Sequence, residues 1–258
     1  MTKISAVIIV KDGEDLIADC IDSLFFCDEI IVIDNDSKDR TEEIAKRMSA
    51  KVFEYDSKDF AKLRNFGLLK ATSEWVLYVD VDERISKELA KNIKNLLLKE
   101  ENEFSAYKLQ RKNFYFGNEE WPNIEKIERL FRRRALKKWI GQLHESPLIE
   151  GKIGDIEGYL LHYTHRDLSS MLSKTIEWSK IEANLRYKTN HPRMTWWRFP
   201  RVMLTAFFNS YITQKGYKAG TAGIVESVYQ AFSIFITYAR LWELQNRYDK
   251  EIENNENN

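Results

Sequence analysis

The segment Val76-Leu-Tyr-Val-Asp80-Val-Asp82-Glu83 runs an apolar, strand-like stretch directly into three acids. Side chains two positions apart on an extended chain leave the same face, so the Asp80 and Asp82 carboxylates are expected to share one small volume where the strand ends. That pairing suits a hard divalent cation. Mg²⁺ or Mn²⁺ takes one or two carboxylates and leaves its other positions to water and to the phosphates of a nucleotide diphosphate. The plain alternative is that these acids simply end a strand ahead of the helical run opened by Ser86.

The elements around the pair favour the first reading. Ile4 to Val10 is a nearly continuous apolar run, as expected for a strand buried on both faces of a parallel sheet. Asp15 to Phe26 places Leu16, Ile17, Cys20, Ile21, Leu24 and Phe25 at helical spacing, and Glu29 to Ile33 gives a second strand ending at Asp34. A helix over 40–49, a strand near 51–55, a helix over 60–71 and the strand carrying Asp80 continue the alternation. Such alternation argues for an α/β fold with a mostly parallel, Rossmann-like sheet flanked by helices. Ligands of such sheets collect outside the carboxyl ends of the strands, where Asp34 and Asp80 both lie.

Four runs then carry a resemblance: Val7 to Glu14, Glu29 to Thr41, Ala61 to Leu68 and Trp75 to Glu83. In this order they resemble the nucleotide-sugar half of family 2 glycosyltransferases of the GT-A fold. The resemblance implies an inverting transfer from a nucleoside-diphosphate sugar, with a divalent metal bridging the diphosphate. It maps Asp34 to the base contact, Asp80 to a place near the ribose with support to the metal, Asp82 to the metal, and Arg64 and Asn65 to the neighbourhood of the nucleotide. Arg129-Leu-Phe-Arg132, Leu143-His144-Glu145 and Gly158-Tyr-Leu-Leu-His162-Tyr163 look, in this order, like the branch of bacterial lipopolysaccharide core β-1,4-glucosyltransferases. That branch implies a hexose donor, glucose on a UDP carrier, and a cell-envelope glycan or lipid-linked acceptor. The chain departs from it at Lys11-Asp12, where Asn-Glu is usual, and at Ala219 to Gly223, where Asp-Gly is usual.

The positions also have physical readings of their own. Asp34-Asn-Asp36-Ser37 should form a turn, with Asp36 and Ser37 capping the following helix, while Asp34 at the strand tip can accept from a pyrimidine N–H. Lys11, Lys62 and Arg64 can each approach a diphosphate, although a solvated surface cation is the ordinary reading. Ala106 to Phe116 alternates as a strand, and 117–123 reads as a loop. Six Lys or Arg residues fall between Arg129 and Lys138, but the formal net charge is +0 and the sequence pI about 6.9, which argues against a nucleic-acid binder. Arg129 and Arg132 suit anionic groups of acceptor or diphosphate instead. An inverting transfer needs a base for the acceptor hydroxyl, and Glu145 is the candidate. His144, on the other side of an extended chain, suits a contact to diphosphate, metal or protein. The ordinary alternative is a loop Glu beside a packed His.

Beyond Ser169 the character changes. Met171 to Tyr187 is helical in pattern, His191-Pro192 breaks it, and two aromatic, apolar stretches follow at 200–212 and 224–244. Neither is a convincing membrane span, since Asn209, Gln214 and Lys215 bound the first and Glu226, Gln230 and Arg240 interrupt the second. From Ala183 to Val225 there is no Asp or Glu, whereas Arg186, Lys188, Arg193, Arg198, Arg201, Lys215 and Lys218 are all basic. This composition suits the surface of an anionic membrane, and plain packing against the chain or against a second copy competes equally.

The expected organisation is a catalytic part over 1–163, a helical part over 164–250 and a disordered polar tail over 251–258. Cys20 and Cys27 read as reduced, packed thiols, and with no signal peptide the expected location is the cytoplasm, including the inner face of the cytoplasmic membrane. Two other enzyme or binding readings stand beside this one. A nucleotidyltransferase would show a Gly-rich phosphate loop, and Val10 to Gly13 has one glycine. A non-catalytic sugar-nucleotide-binding protein, or a peptide glycosyltransferase, would share the donor half.

Overall fold

A computed structural model describes residues 3–98, 103–142 and 145–256, with side chains as far as Arg247. The first four strands and their helices are β1 (Ile4–Val10), α1 (Ile17–Asp22), β2 (Glu29–Asp34), α2 (Thr41–Arg47), β3 (Lys51–Glu54), α3 (Phe60–Lys70) and β4 (Trp75–Asp80). Then come β5 (Glu83–Ile85), α4 (Lys87–Leu97), β6 (Phe104–Tyr115), β7 (Glu119–Arg132), β8 (Leu136–Ile140), β9 (Ser146–Ile149) and β10 (Lys152–Tyr163). Eight strands form one mixed sheet in the order β3-β2-β1-β4-β7-β6-β10-β5, and β8 pairs with β9 in a small second sheet. The pairs β1·β2, β1·β4 and β2·β3 are parallel, whereas β7 joins β4 antiparallel.

Every residue of β1 is buried, because apolar side chains cover both faces of the central strand. Ile8 and Leu77 join the core on one side with Leu24 of the α1 end and Ile93 of α4. Val7, Ile33 and Tyr78 join the core on the other side with Leu63 of α3 and Phe131 of β7. Gly67 lets α3 lie on the sheet, since a Cβ there would come within 2.4 Å of Val7 Cγ1. Gly158 of β10 has φ +100°, and a Cβ there would come within 2.7 Å of the Leu89 backbone of α4, a place only glycine fits without strain. Asp59 caps α3 and Ser86 caps α4, each accepting a backbone N–H from three residues on.

Three local expectations are corrected. Residues 117–123 are not one loop, because β7 already begins at Glu119 and extends the β6 ladder through a polar stretch. Asp36 and Ser37 do not cap α2: Asp39 accepts from Thr41 N, and the two earlier residues stay within the turn that Asp34 organises. The strand does not run on through Asp82, since Val81 and Asp82 form a turn into β5.

The chain divides into two units, Met1–Asn113 with Ile124–Tyr163, and Phe114–Asn123 with Thr164–Asn258. The second unit holds α5 (Leu168–Lys188), α6 (Arg198–Phe208), a π-helical turn (Asn209–Thr213), a 3₁₀ turn (Gly216–Ala219) and α7 (Gly220–Glu256). Ala183, Met194 and Leu241 form its small core, flanked by Tyr187, Phe199 and Tyr238. None of its described helices is long and apolar enough to cross a membrane. Both cysteines are free, and burial pushes their thiols up, which keeps them unreactive.

Candidate active site

At the carboxyl end of β4 the Asp80 carboxylate meets two guanidinium groups. Arg64 of α3 donates from Nη2 to Oδ1 at 2.9 Å, and Arg129 of β7 donates from Nη2 to Oδ2 at 2.6 Å. Both arginines are buried, at 3% and 6% exposure. Burial by itself raises the Asp80 carboxyl, but Arg129 and then Arg64 outweigh it and hold the group well below the usual carboxylate range. Burial likewise works to lower Arg129, and Asp80 and Glu83 more than reverse it.

Arg64 also reaches the proposed base. Its Nε donates to Glu145 Oε1 at 2.7 Å, and the guanidinium rests over the Trp139 ring at 4.9 Å and the Tyr78 ring at 5.7 Å. Glu145 directly precedes β9, and Asn65 fixes the strand opposite. The Asn65 side chain donates to Trp139 O at 2.9 Å and accepts from Trp139 N at 2.8 Å, fastening β8 to α3. Of the Arg64-Asn65 pair, Arg64 therefore turns into the charged cluster while Asn65 positions the sheet from which Glu145 emerges.

Glu83, fully buried, completes the other side. It accepts the Asp80 backbone N–H at 2.9 Å, Arg129 Nη2 at 3.2 Å and Arg111 Nη1 at 3.3 Å, and Arg111 binds Glu125 on its far side at 2.5 Å. Burial raises the Glu125 carboxyl, and Arg111 more than offsets this, leaving it below its ordinary value. Two buried guanidinium atoms, Arg64 Nη1 and Arg129 Nε, have no hydrogen-bond partner among the described residues. Buried charged donors without acceptors are costly, so these two atoms are the unsatisfied points of the cluster.

Asp82 lies in the turn beyond Asp80. Its Oδ1 is 3.5 Å from His162 Nε2 on β10, and Asn113 Oδ1 lies 2.7 Å from His162 Nδ1. Asn113 engages Nδ1 and leaves Nε2 on the Asp82 side, the orientation a metal-ligating histidine needs. Among the described residues no cluster of three His, Cys, Asp or Glu side chains encloses a metal. A Mg²⁺ or Mn²⁺ ion that keeps waters and takes phosphate oxygens needs only one or two protein groups, and Asp82 with His162 fits that demand. The Asp80 oxygens, expected to support the metal, go here to the two arginines.

Asp34 sits at the tip of β2, one strand removed from Asp80 across β1. It is buried, and its carboxylate accepts the Ser37 hydroxyl and, at 3.3 Å, the Ser37 N–H. His144 lies outside the described residues. Arg132, the other arginine of the basic segment, turns away from the cluster to Glu74 and the Trp75 ring. Glu83, Arg111, Glu125, His162 and Asn113 were not singled out for roles by sequence. Glu83 stood in plain view in the acidic run, whereas the others come from strands distant in the chain.

Residues 5–148 match the model of Glycosyl transferase family 2. An uncharacterized glycosyltransferase of Rickettsia typhi is 28% identical over 95% of this chain and 88% of its own. The lipopolysaccharide core biosynthesis glycosyltransferase LpsC of Rhizobium meliloti is 25% identical over 93% of this chain and 92% of its own. Among solved structures, a mannosyltransferase of Pyrobaculum calidifontis in complex with GDP-Man and Mn²⁺ superposes with a TM-score of 0.54 at 13% identity, covering 93% and 87% of the two chains. TarS 1-349 of S. aureus in complex with UDP-GlcNAc gives 0.50 at 14% identity, covering 97% and 92%. At such identities the structures speak for the fold, which is the GT-A type expected. With more than half of its length matched by the family model, and the homologous chains named as glycosyltransferases, this chain belongs to glycosyl transferase family 2 and is a glycosyltransferase.

Proposed function

We propose that the enzyme moves a hexose, glucose from UDP-glucose, with inversion to a hydroxyl of a cell-envelope glycan such as lipopolysaccharide core. Residues 1–163 supply donor binding and chemistry, and residues from 164 onward serve the acceptor and an anionic membrane surface on the cytoplasmic side. The observation that carries the reading is the bridge from Asp80 through Arg64 to Glu145, which brings a carboxylate 81 positions from Arg64 to the edge of the nucleotide corner. The name of the Rhizobium meliloti relative supports the acceptor class.

Each group then has a task. Glu145 takes the acceptor proton while the hydroxyl attacks the anomeric carbon; both Arg64 contacts fall on Oε1, leaving Oε2 for that hydroxyl. Arg64 and Arg129 bring positive charge to this corner, which would stabilise the diphosphate as the bond breaks. Asp34 holds the base, and Asp80 lies by the ribose. Asp82 with His162 would hold a divalent cation, which, when bound, neutralises the departing diphosphate.

A panel of nucleotide sugars with Mn²⁺, read by donor hydrolysis and by thermal stabilisation, tests donor choice, with UDP-glucose expected to lead. Glu145→Gln keeps the shape and removes the base, so donor affinity should persist while transfer falls by about 10²–10⁴-fold. Near-normal turnover in that variant would remove Glu145 from the mechanism.

A further inference from the structure

Between α6 and α7 lies a cavity of about 460 Å³ inside the second unit. Its polar lining includes Arg198, Arg201 and Asn209, and its apolar lining Met194, Val202 and Ile234. The volume falls within the range of small-molecule pockets. It holds a head group and part of a chain, not a whole lipid.

Three observations point to the occupant. First, α6 carries Val202, Met203, Leu204, Ala206, Phe207 and Phe208 yet has no buried residue. Leu204, Phe208 and Ile212 recur every fourth position and are 55%, 54% and 53% exposed, and Trp196 just ahead of α6 is 82% exposed. This is an apolar stripe with an indole at its end, the pattern of a helix lying in a membrane interface. Second, residues 183–225 hold seven Lys or Arg and no Asp or Glu. Just ahead of the window Glu182 pairs with Arg186 at 2.7 Å, whereas the next acid beyond it, Glu226, is buried against His165 and Gln230. Third, the Arg201 guanidinium has no partner among the described residues, and Arg198 spends one N–H on Pro192 O at 3.0 Å and stacks on Trp197. Arginines with spare donors at the mouth of an apolar cavity suit a phosphate attached to a hydrocarbon chain.

We propose that this cavity receives one anionic phospholipid of the membrane surface, its phosphate on Arg198 and Arg201 and the start of its acyl chain over Val202 and Ile234. The inference deepens the membrane-contact reading above and does not depend on the donor site. A second copy of the chain is the rival occupant and is disfavoured by charge. An isologous contact sets the same patch against itself, with Arg198 and Arg201 facing their own copies.

The test uses the full chain and vesicles of phosphatidylcholine with or without phosphatidylglycerol. Wild type should float with the mixed vesicles, stay behind with phosphatidylcholine alone and release in high salt. Arg198→Gln with Arg201→Gln should weaken binding about thirtyfold, from two interfacial charges. Lys215→Gln with Lys218→Gln removes equal charge away from the cavity and should cost less. Soluble dihexanoyl phosphatidylglycerol below its micelle concentration should raise the melting temperature of wild type and not of the Arg198/Arg201 variant, while inorganic phosphate does neither. Equal losses in the two double variants, with no shift from the short-chain lipid, would overturn the pocket and leave a diffuse charged surface. No flotation of wild type would overturn the pocket and the membrane reading together. A dimer broken by Leu204→Ser with Phe208→Ser, without lipid binding, would give the face to a second copy and overturn the proposal.

Discussion

Replacing Arg129 by methionine tests the charge network around Asp80 most sharply. The Arg129 side chain is 7% exposed, and its Nη2 lies 2.6 Å from Asp80 Oδ2 and 3.2 Å from Glu83 Oε1. Methionine fills much of the same space with a flexible apolar chain, so the change removes charge more than packing. Glu83, fully buried, keeps Arg111 at 3.3 Å, and Asp80 keeps Arg64 at 2.9 Å. Removing one partner of a buried ion pair costs about 3–5 kcal/mol, because the surviving charge stays desolvated. The Asp80 side chain is 29% exposed, so water carries part of the load and the lower end, about 3 kcal/mol, is expected. At about 2–4 °C per kcal/mol for a chain of this size, the melting temperature should fall by roughly 6–12 °C near pH 7. The pH dependence follows from the sign of the shift. In wild type the Asp80 carboxyl is depressed, so its contribution is full above the ordinary carboxylate range and is lost only as the pH falls through the lowered value. Without Arg129, burial pushes the Asp80 carboxyl back up. The variant's Asp80 then protonates at a higher pH than in wild type, so its deficit should be smaller at about pH 4, near the ordinary carboxylate range, than at about pH 7. Thermal unfolding followed by circular dichroism on wild type, Arg129→Met, Glu83→Gln and the double variant reads both effects. The double variant should recover about 1–3 kcal/mol relative to the sum of the singles. A melting temperature for Arg129→Met within about one degree of wild type at both pH values would refute the reasoning.

Asp82→Ala should abolish the Mn²⁺-dependent part of UDP affinity in calorimetry, and His162→Ala should weaken it; affinity for UDP with Mn²⁺ unchanged by Asp82→Ala would end the metal assignment. Glu29 supplies a separate pH probe. Burial works to raise its carboxyl, but hydrogen bonds from Lys51, Ser5 and Thr72 bring it down to about 2. Its stabilisation is therefore full above about pH 4.5 and lost as the pH falls toward 2, so the gap between wild type and Glu29→Gln should close across that window in acid unfolding. A gap that stays constant down to pH 2 would show that those hydrogen bonds do not hold the carboxylate.

What could be read in advance follows from how local each signal is. β1, β2 and β4 are short apolar runs ended by an acid or a turn, so their existence and their carboxyl ends were legible, and with them Asp34 and Asp80. Arg64 and Glu145 were legible as candidates through motif order, but their hydrogen bond depends on Asn65 fastening β8 to α3, a contact with no trace in either segment alone. The role of Glu83 was hidden because a buried acid is explained by its partners, and Arg111 and Arg129 arrive from β6 and β7. β7 was misjudged at its start because Gly117 to Asn123 is polar and aromatic in mixture, and pairing with β6, not composition, makes Glu119 onward a strand. The start of α2 was misjudged because Asp36, Ser37 and Asp39 are all good capping residues by type, and geometry alone gives the Thr41 N–H to Asp39.

The hairpin of β6 and β7 has its base in the first unit while its tip, Phe114–Asn123, belongs to the second. The backbone therefore passes from one unit to the other three times. A protein shortened after Tyr163 would keep that tip but lose its surroundings, baring Trp121, which is 2% exposed in the whole chain, together with the Tyr115 ring 4.9 Å away. Such a fragment would present sticky aromatic surface and be prone to aggregate. Exchanging the second unit between relatives would for the same reason require moving the hairpin end along with everything after Tyr163.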